Sequence, residues 1–512
     1  MNRLSGARGS VSIPALIAVF TAGALIGAVA AVEVVPADKL PAASADAAAT
    51  DPVTGQPVGT TTTGKATGAT GPVAGASAAA GSGTTGTSSG AGTGSGGTVA
   101  LPPSKYECRA GNNGGSTDRG VTATSINLAT TIVASGPGKS FLNEMPYAMS
   151  AVADQVNRAG GICGRMLNIE TRDDGWEAQR GAQFLRNYIN DRNKFGIPVG
   201  ASSEGLEVVI QGGDLDKAHF PVVGTDGLAI EQYVDAKTGA AQQWVWPVAT
   251  ATVSSARIMA ADAIARGAKK PGIVFDKDYH FGKEAAAAFK AEVERLTGKS
   301  FGGDSCSSRF CGIIAGQNNY STDALNFKNS APDYIALFLE PSTAQIWMKD
   351  NNTVSATDSS VPYGYGAAQP LFTKQFGIGC GAKCDQMVVW SGFKPNVEKY
   401  RTDPAMVDYI HALKAKYPSA DEFNQFTESA YVGMQMLVEA LKIVGPELTR
   451  DRLKTVLDHM VFKSPLTLQA TLPFTPTTRF ANVTMQAFTM QYKGSFSGWR
   501  VGGIQRDPRP GR

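Results

Sequence analysis

The stretch PYAMSAVADQVNRAGGICGRMLNIETRDD, residues 146–174, predicts a helix, a glycine turn and a strand in direct succession. Asn143 can cap the helix, and Pro146 suits its first turn, where a missing N–H costs no intrahelical bond. The buried stripe of this helix recurs every four residues, at Ala148, Val152 and Val156. Gly160 and Gly161 can adopt the left-handed conformation that ends a helix.

The strand that follows ends in two acids. Leu167 and Ile169 alternate with polar residues, as on a half-buried strand. Asp173 and Asp174 come where this strand would emerge at the edge of a sheet. Because adjacent strand residues point to opposite faces, one catalytic site would rarely use both carboxylates. The pair therefore indicates the end of a strand and the start of a helix, not a pair for acid–base catalysis.

Strands and helices alternate from about Tyr106 to the end of the chain, and the alternation restarts after Trp246. Predicted strands lie at 126–132, 167–173, 197–200, 220–223, 272–275, 334–339 and 388–390. Predicted helices in the second half lie at 254–266, 283–297, 404–416, 424–444 and 449–460. This order predicts an α/β fold of two lobes of roughly 200 residues each. Each lobe would contain a parallel sheet with helices on its faces.

The N-terminal part of the chain does not share this pattern. Residues 9–32 carry no charge and follow two arginines, so residues 1–35 are predicted to anchor the chain in a membrane and to place the rest outside the cytoplasm. A cleaved signal peptide is the alternative, which would give a secreted protein. Residues 36–104 consist mainly of Ala, Gly, Ser and Thr and predict a disordered linker without a core.

Composition excludes nucleic acid as a partner, because 47 basic and 44 acidic residues nearly balance and no basic run occurs. The six cysteines predict three disulfides, which suits an exported protein, namely Cys306–Cys311, Cys380–Cys384 and Cys108–Cys163. A zinc site built from the two close pairs is the alternative, but their spacing is not C-x-x-C and the chain has only four histidines.

Signatures of catalysis and of cofactor binding are missing from the sequence. The segment 200–204 lacks the last glycine of a nucleophile elbow, and 377–381 lacks the last spacing of a dinucleotide fingerprint. There is no phosphate-binding P-loop and no H-E-x-x-H. The sequence therefore predicts a binding protein without a cofactor or a metal, and not an enzyme.

Polar residues follow the predicted strands at the points where ligands bind in open α/β sheets. The four loops are SGPGKSF at 135–141, GASSE at 200–204, GTDG at 224–227 and DKDYHFG at 276–282. Glu340 ends a further strand, directly before Pro341. Serines and threonines in such places are also common helix caps, and a charge at a strand end is often merely solvated.

Several of these motifs resemble the type I periplasmic solute-binding proteins, in particular the branched-chain amino acid-binding (Leu/Ile/Val-binding-like) family of ABC transporters. N-x-x-G-G-I-x-G-R at 157–165, S-G-P at 135–137 and T-R-x-x-L at 449–453 are similar to motifs of that family. The resemblance implies a two-lobed fold with a hinge over residues 105–512. Lobe 1 would comprise about 118–248 and 376–465, and lobe 2 about 249–375 and 466–510.

The resemblance also implies roles for particular residues in a cleft between the lobes. By likeness to the family, Ser202 and Ser203 would hold a ligand carboxylate, and Thr225 would bind the ligand head group. An aromatic residue of the second lobe would pack against the ligand, and an acid would hold its amino group. The expected ligand-binding set is Ser135, Ser202, Ser203, Thr225, Asp226, Tyr279, Phe281 and Glu340.

The expected function is that of an extracytoplasmic binding protein for an ABC importer. Its ligand would be a small polar molecule, an amino acid or a related compound, which the lobes enclose by hinge closure. Its other partners would be the permease and ATPase subunits and the membrane that holds its N-terminal segment. A ligand-sensing receptor domain is the first alternative, and a secreted hydrolase is the second.

Overall fold

The computed structural model of the protein describes residues 101–511. The predicted membrane segment 1–35 and nearly all of the predicted linker 36–104 lie outside the described residues. Within residues 101–511, no helix combines the length and the apolar character that a bilayer span requires.

The described residues form thirteen strands and thirteen α-helices. The strands are β1 (Ser125–Ile132), β2 (Met166–Asp173), β3 (Val222–Val223), β4 (Val245–Trp246), β5 (Pro271–Asp276), β6 (Phe310–Ile313), β7 (Tyr334–Phe338), β8 (Tyr365–Ala367), β9 (Val388–Ser391), β10 (Val461–Lys463), β11 (Thr471–Pro473), β12 (Thr484–Tyr492) and β13 (Phe496–Arg506). The helices are α1 (Lys139–Leu142), α2 (Met145–Arg158), α3 (Ala178–Asn190), α4 (Ser203–Gln211), α5 (Asp214–Ala218), α6 (Thr252–Arg266), α7 (His280–Thr297), α8 (Ser321–Asn329), α9 (Pro341–Lys349), α10 (Lys374–Cys380), α11 (Pro404–Lys416), α12 (Gln425–Val444) and α13 (Arg450–Leu457).

The first lobe is built on a parallel sheet. β1 pairs with β2 along its whole length, from Ser125 opposite Met166 to Ile132 opposite Asp173. Single bridges connect β1 to the segment 196–200 and that segment to β3, which pairs with β4. The spatial order is therefore β2, β1, 196–200, β3 and β4. Helices α11 and α12 pack against α2 and return the chain to this lobe.

The second lobe is built on a seven-stranded sheet in the order β13-β12-β9-β8-β7-β5-β6. Strands β5 to β9 pair in parallel, whereas β12 runs antiparallel to both β9 and β13. Every residue of β5 and β7 is buried, as expected for parallel strands with both faces covered. The prediction of a two-lobed α/β fold is confirmed, but the second sheet is only mostly parallel, because β12 and β13 extend it in antiparallel pairing.

One lobe boundary differs from its prediction. The sequence analysis assigns residues from 376 onward to the first lobe, but β9 pairs with β8 and with β12 in the sheet of the second lobe. The chain therefore returns to the first lobe only after Ser391, on the way to α11. The sequence did not indicate that β9 belongs to the second lobe, because a strand of four buried residues can complete either sheet.

The start of α2 also differs from its prediction. Asn143 does not cap α2, because the preceding residues form the separate helix α1 and Asn143 lies at its C-terminal end. Glu144 occupies the N-cap position, and Pro146 lies in the first turn as predicted. At the other end, Gly160 and Gly161 have φ of 95° and 74°, so the predicted left-handed termination is confirmed.

The chain passes between the lobes three times, and the crossing segments lie side by side. The Asn482 side-chain amide donates to the carbonyl oxygens of Val248 (3.1 Å) and Gly392 (3.4 Å), which joins all three crossings. A Cβ at Gly392 would lie 2.2 Å from Oγ1 of Thr250, so only glycine permits this close approach. These crossings form the hinge side of the cleft.

All six cysteines are paired in the structure. Cys108 is bonded to Cys163, Cys306 to Cys311 and Cys380 to Cys384, which are the pairs that the spacing predicts. The zinc alternative needs free thiolates, and no described cysteine is free. The first bond ties the turn after α2 to the point where the chain enters the lobe.

Candidate ligand-binding cleft

An aromatic stack joins the two lobes where their strand-end loops meet. Trp176 follows β2 in the first lobe, and Tyr279 precedes α7 in the second. Their ring centroids lie 4.3 Å apart, and their planes differ by 15°. The Trp176 indole N–H donates to Oγ of Ser203 at 3.1 Å, and Gly138 packs directly on its ring, which fixes the ring's position. Burial raises the pKa of Tyr279 to about 12, so its hydroxyl is a neutral donor.

The serines of the loop 200–204 lie directly beneath this stack, at the N-terminus of α4. Ser202 and Ser203 are both buried. Oγ of Ser202 donates to Oδ1 of Asp174 at 3.0 Å, while Oγ of Ser203 accepts from Trp176. Neither serine side chain caps α4, so the first N–H groups of that helix receive no bond from them. The helix-cap alternative therefore does not account for these two serines.

Asp174 occupies a fully buried position behind the serines. Its Oδ1 also accepts the Trp176 backbone N–H at 2.9 Å, and its Oδ2 has no hydrogen-bond partner within residues 101–511. Burial raises the pKa of this carboxyl group. Asp173, in contrast, accepts N–H groups from Ala134, Ser135 and Gly175 and holds the rim of the cleft. The two acids therefore have separate structural tasks.

The loop 224–227 contributes two buried polar groups with unused hydrogen-bonding capacity. Thr225 is 0% exposed, and its Oγ1 has no partner in the described part of the chain. Asp226 accepts from the Gln232 side chain (2.7 Å) and the Leu228 N–H (3.2 Å), but its Oδ2 has no described partner. Burial raises the pKa of Asp226 to about 6. Unsatisfied buried groups are costly, so their concentration here indicates a site that a polar ligand completes.

Glu340 lies on the second-lobe side of the cleft and is already engaged. Its carboxylate caps α9 by accepting the backbone N–H groups of Ser342 and Thr343. The hydroxyl of Ser140, in the first lobe, donates to the same carboxylate at 3.3 Å. Glu340 therefore acts as a helix cap and also contacts the opposite lobe. The sequence analysis weighed ligand binding against solvation and did not consider a buried cap.

The remaining predicted residues lie at the margin of the site. Ser135 is exposed at the rim of the first lobe. Phe281 is buried, with its ring 6.4 Å from both Trp176 and Phe338, so it supports the stack from behind. Of the predicted aromatic pair, Tyr279 rather than Phe281 therefore presents its face toward the first lobe.

A groove of about 600 Å³ continues the cleft away from the stack. It is lined from the first lobe by Ser140, Glu144 and Asp421 and from the second by Gln345 and Lys374. Burial raises the pKa of Glu144 to about 7, and its carboxylate accepts the Asp421 N–H at 2.7 Å. The groove gives the closed cleft an opening with polar walls from both lobes.

The sequence analysis missed Trp176, Asp174 and Ser140 as residues of the cleft. Trp176 follows the predicted strand end by only three residues, in the run Asp-Asp-Gly-Trp. An aromatic residue directly after a strand end was thus a usable signal, although Tyr279 itself was predicted from the likeness to the family. The contact between Ser140 and Glu340 spans 200 positions of sequence and left no local signal.

Two covered α/β sheets, three hinge crossings and a polar cleft between them define a two-lobed binding protein of the type I periplasmic fold. A family model described as "Periplasmic binding protein" matches residues 125–495, and the chain belongs to this family. The resemblance predicted from the sequence is thus confirmed.

Solved structures agree on the fold. A possible leucine/isoleucine/valine-binding protein from Rhodopirellula baltica is 14% identical, with 74% of this chain and 96% of that chain covered and a TM-score of 0.60. A branched-chain amino acid transporter substrate-binding protein from Streptococcus pneumoniae, in complex with isoleucine, is 16% identical, with 74% and 99% covered and a TM-score of 0.56.

A solute-binding protein of an ABC transporter from R. palustris, in complex with 4-hydroxybenzoate, is 15% identical, with 75% of this chain and 98% of that chain covered and a TM-score of 0.61. At these identities the likeness concerns the fold alone. No curated protein sequence matches this chain.

Proposed function

We propose that this protein is the extracytoplasmic solute-binding component of an ABC importer and encloses a small polar ligand, an amino acid or a related compound, between its lobes. The observation that carries this proposal is the meeting of strand-end loops from both lobes around Trp176 and Tyr279. Buried polar atoms without described hydrogen-bond partners occur on Thr225 and Asp226, and Asp226 lies beside Ser203, which accepts from Trp176. Such convergence of a few polar groups with aromatic walls is typical of small-molecule sites.

The loops offer complementary chemistry for a zwitterion or an aromatic acid. The N-terminus of α4, at Ser202 and Ser203, carries N–H groups and a positive helix dipole that suit a carboxylate. Asp226 supplies an acceptor for an ammonium or hydroxyl group. When the lobes open, Trp176 and Tyr279 separate and can receive an apolar or planar part of the ligand.

Ligand binding would couple to closure by differential affinity. The closed arrangement already has contacts between the lobes, including the stack and the bond from Ser140 to Glu340. A ligand that contacts both lobes favours the closed form over the open one. The closed form would then dock on the permease, whose ATPase subunits drive import. The N-terminal segment would hold the protein at the outer face of the cell membrane.

A thermal-shift screen tests this proposal. Amino acids, amides, short peptides and aromatic acids are added separately, and the hits are measured by titration calorimetry with wild type and Thr225→Ala. We expect one compound class to raise Tm, because a ligand at 100 times its Kd adds about 2.7 kcal/mol to the free energy of unfolding. Thr225→Ala should weaken its binding. Hits whose affinity is the same in wild type and Thr225→Ala would place the ligand elsewhere, and turnover of a hit would contradict a binding role.

A further inference from the structure

Apart from the strand-end loops, one histidine and three glutamates meet across the interface of the lobes. Glu207 lies on α4 and Glu231 lies in the short turn Ile230–Gln232, both in the first lobe. His280 and Glu284 lie in the first turns of α7, in the second lobe. Each lobe thus supplies two of the four side chains. We name these four residues the His280 cluster.

The two ring nitrogens of His280 face different carboxylates. Nε2 lies 3.0 Å from Oε2 of Glu231 and 3.4 Å from Oε2 of Glu284. Nδ1 lies 3.4 Å from Oε1 of Glu207. Ligand atoms around a tetrahedral ion with bonds of 2.0–2.1 Å are separated by about 3.3 Å, so the spacing around Nε2 matches such an edge.

Two of the carboxylates are buried and have unused oxygens. Glu231 is 5% exposed, and its Oε2 makes no hydrogen bond within the described residues despite its closeness to Nε2. The side chain of Glu284 is 7% exposed: its Oε2, which faces Nε2, also accepts the Ile230 N–H at 3.1 Å, and its Oε1 has no described hydrogen-bond partner. Nε2 of His280 is also without one. Nε2 of His280 and Oε2 of Glu231 therefore lie at ion-pair distance but are not aligned for a hydrogen bond, an arrangement that a shared metal ion would satisfy.

Charge balance leads to the same expectation. Three carboxylates face one imidazole, and Glu204 adds a fourth carboxylate that accepts the backbone N–H of His280 at 3.2 Å. Lys283, exposed on α7, is the cation nearest in sequence. Acidic side chains thus outnumber basic ones in this largely buried cluster, and a bound cation would allow them to be ionised together.

We infer that the His280 cluster binds one divalent transition-metal ion, with Nε2 of His280 and the carboxylates of Glu231 and Glu284 as ligands. Glu207 would accept the Nδ1–H of His280 and fix the ring, as carboxylates behind metal-bound histidines commonly do. One imidazole with carboxylates suits zinc and its neighbours better than Mg²⁺ or Ca²⁺, which prefer oxygen ligands alone.

The position of the cluster gives the ion a structural consequence. Because Glu231 belongs to one lobe and both His280 and Glu284 to the other, a bound ion joins the lobes directly. It would favour the closed form in addition to any ligand in the cleft, as two coupled binding events do. This inference rests on the interface between the lobes and not on the identity of the proposed ligand.

Titration calorimetry of the metal-stripped full-length protein with ZnCl₂ tests the site. We expect one ion per chain in wild type, a loss of more than about 100-fold in affinity for His280→Asn and for Glu231→Gln, and a loss of 10–100-fold for Glu207→Gln. His411→Asn, which removes an exposed histidine on α11, is the matched control and should bind zinc as wild type does. CaCl₂ and MgCl₂ should bind far more weakly.

Equal zinc affinity in wild type and His280→Asn would overturn the inference, as would the absence of one-to-one binding in wild type. Glu207→Gln keeps the result interpretable if the His280 variant does not fold, because it only replaces a partly buried carboxylate by an amide of the same shape. Small-angle X-ray scattering supplies a second readout, in which zinc should make wild type more compact and leave His280→Asn unchanged. Ligand screens in the presence of a chelator separate this result from the proposed function.

Discussion

The indole of Trp176 and the phenol ring of Tyr279 lie face to face, with centroids 4.3 Å apart, and each ring belongs to a different lobe. Their backbones sit at the carboxyl ends of β2 and β5, so both rings are fixed by the sheets that carry them. Opening of the cleft must separate the pair and expose both faces to water. The aromatic contact thus stabilises the closed form, and under the proposed function it also forms a wall of the ligand site.

Tyr279→Ala should weaken ligand binding by about 2- to 10-fold, because an aromatic pair contributes about 0.5–1.5 kcal/mol beyond its buried area. Tyr147→Ala is the control, since Tyr147 stacks equally closely on Tyr417 (4.0 Å, 11°) but within one lobe. Titration calorimetry with a ligand from the screen measures both. A similar loss in the two variants would show that the effect is one of general stability.

Thr225→Val should leave the free energy of unfolding unchanged or raise it, because the hydroxyl that it removes is buried and has no described partner. Ligand affinity should fall about tenfold. Thr130→Val is the matched control: that hydroxyl donates to the Val199 carbonyl at 2.7 Å, so its loss should cost about 1–3 kcal/mol of stability. Urea denaturation compares the two, and a marked destabilisation of Thr225→Val would mean that its hydroxyl has an intramolecular partner.

Glu340→Ala should destabilise the protein by about 0.5–2 kcal/mol, since its carboxylate caps α9. The sequence indicated only a ligand-binding or a solvated role for Glu340, and neither role would affect stability in this way. Thr449→Ala removes the cap of α13, away from the cleft, and should cost a similar amount of stability. Only Glu340→Ala should also weaken ligand binding, because it loses the contact with Ser140. Equal ligand affinity in Glu340→Ala and wild type would limit Glu340 to its capping role.

The free energy of unfolding of Glu144→Gln, relative to that of wild type, should increase as the pH rises. Burial raises the pKa of Glu144 from 4.5 to about 7, so the folded state holds a proton that the unfolded state releases between these values. The stability that this group contributes is therefore present below pH 4.5 and lost as the pH rises through 7. Thermal melts of wild type and variant at pH 4.5 and 8 measure the difference. Glu177→Gln, at an exposed acid, controls for the charge, and a gain that is independent of pH would contradict the assignment.

Periodicity and turn chemistry predicted most elements of this fold. The apolar stripe of residues 148–156 became α2, and the two glycines after it have the positive φ that the sequence predicts. These features are local, because helix and turn preferences depend on residues only a few positions apart. The alternation of elements predicted two sheets for the same reason. It could not assign β9, since a short buried strand fits either sheet until its partners are known.

The cleft could be predicted only in part. Strand-end loops indicated Ser203, Thr225 and Tyr279, because parallel strands bring their carboxyl ends to one edge. The roles of these residues depend on neighbours that lie far away in sequence. Glu340 caps α9 and contacts Ser140, and Asp174 is buried against Ser202. A local sequence pattern cannot predict these contacts, because the partners lie 200 and 28 positions apart.

The sequence by itself determined many of the elements, the disulfide-forming pairs and the family, all of which follow from short-range spacing and order. The tertiary structure alone decided which groups became buried and which faced each other across the lobes. The stack of Trp176 on Tyr279 and the four side chains around His280 are the clearest examples. Their chemistry arises from close approach and desolvation, and both depend on the closed arrangement of two sheets that the chain crosses three times.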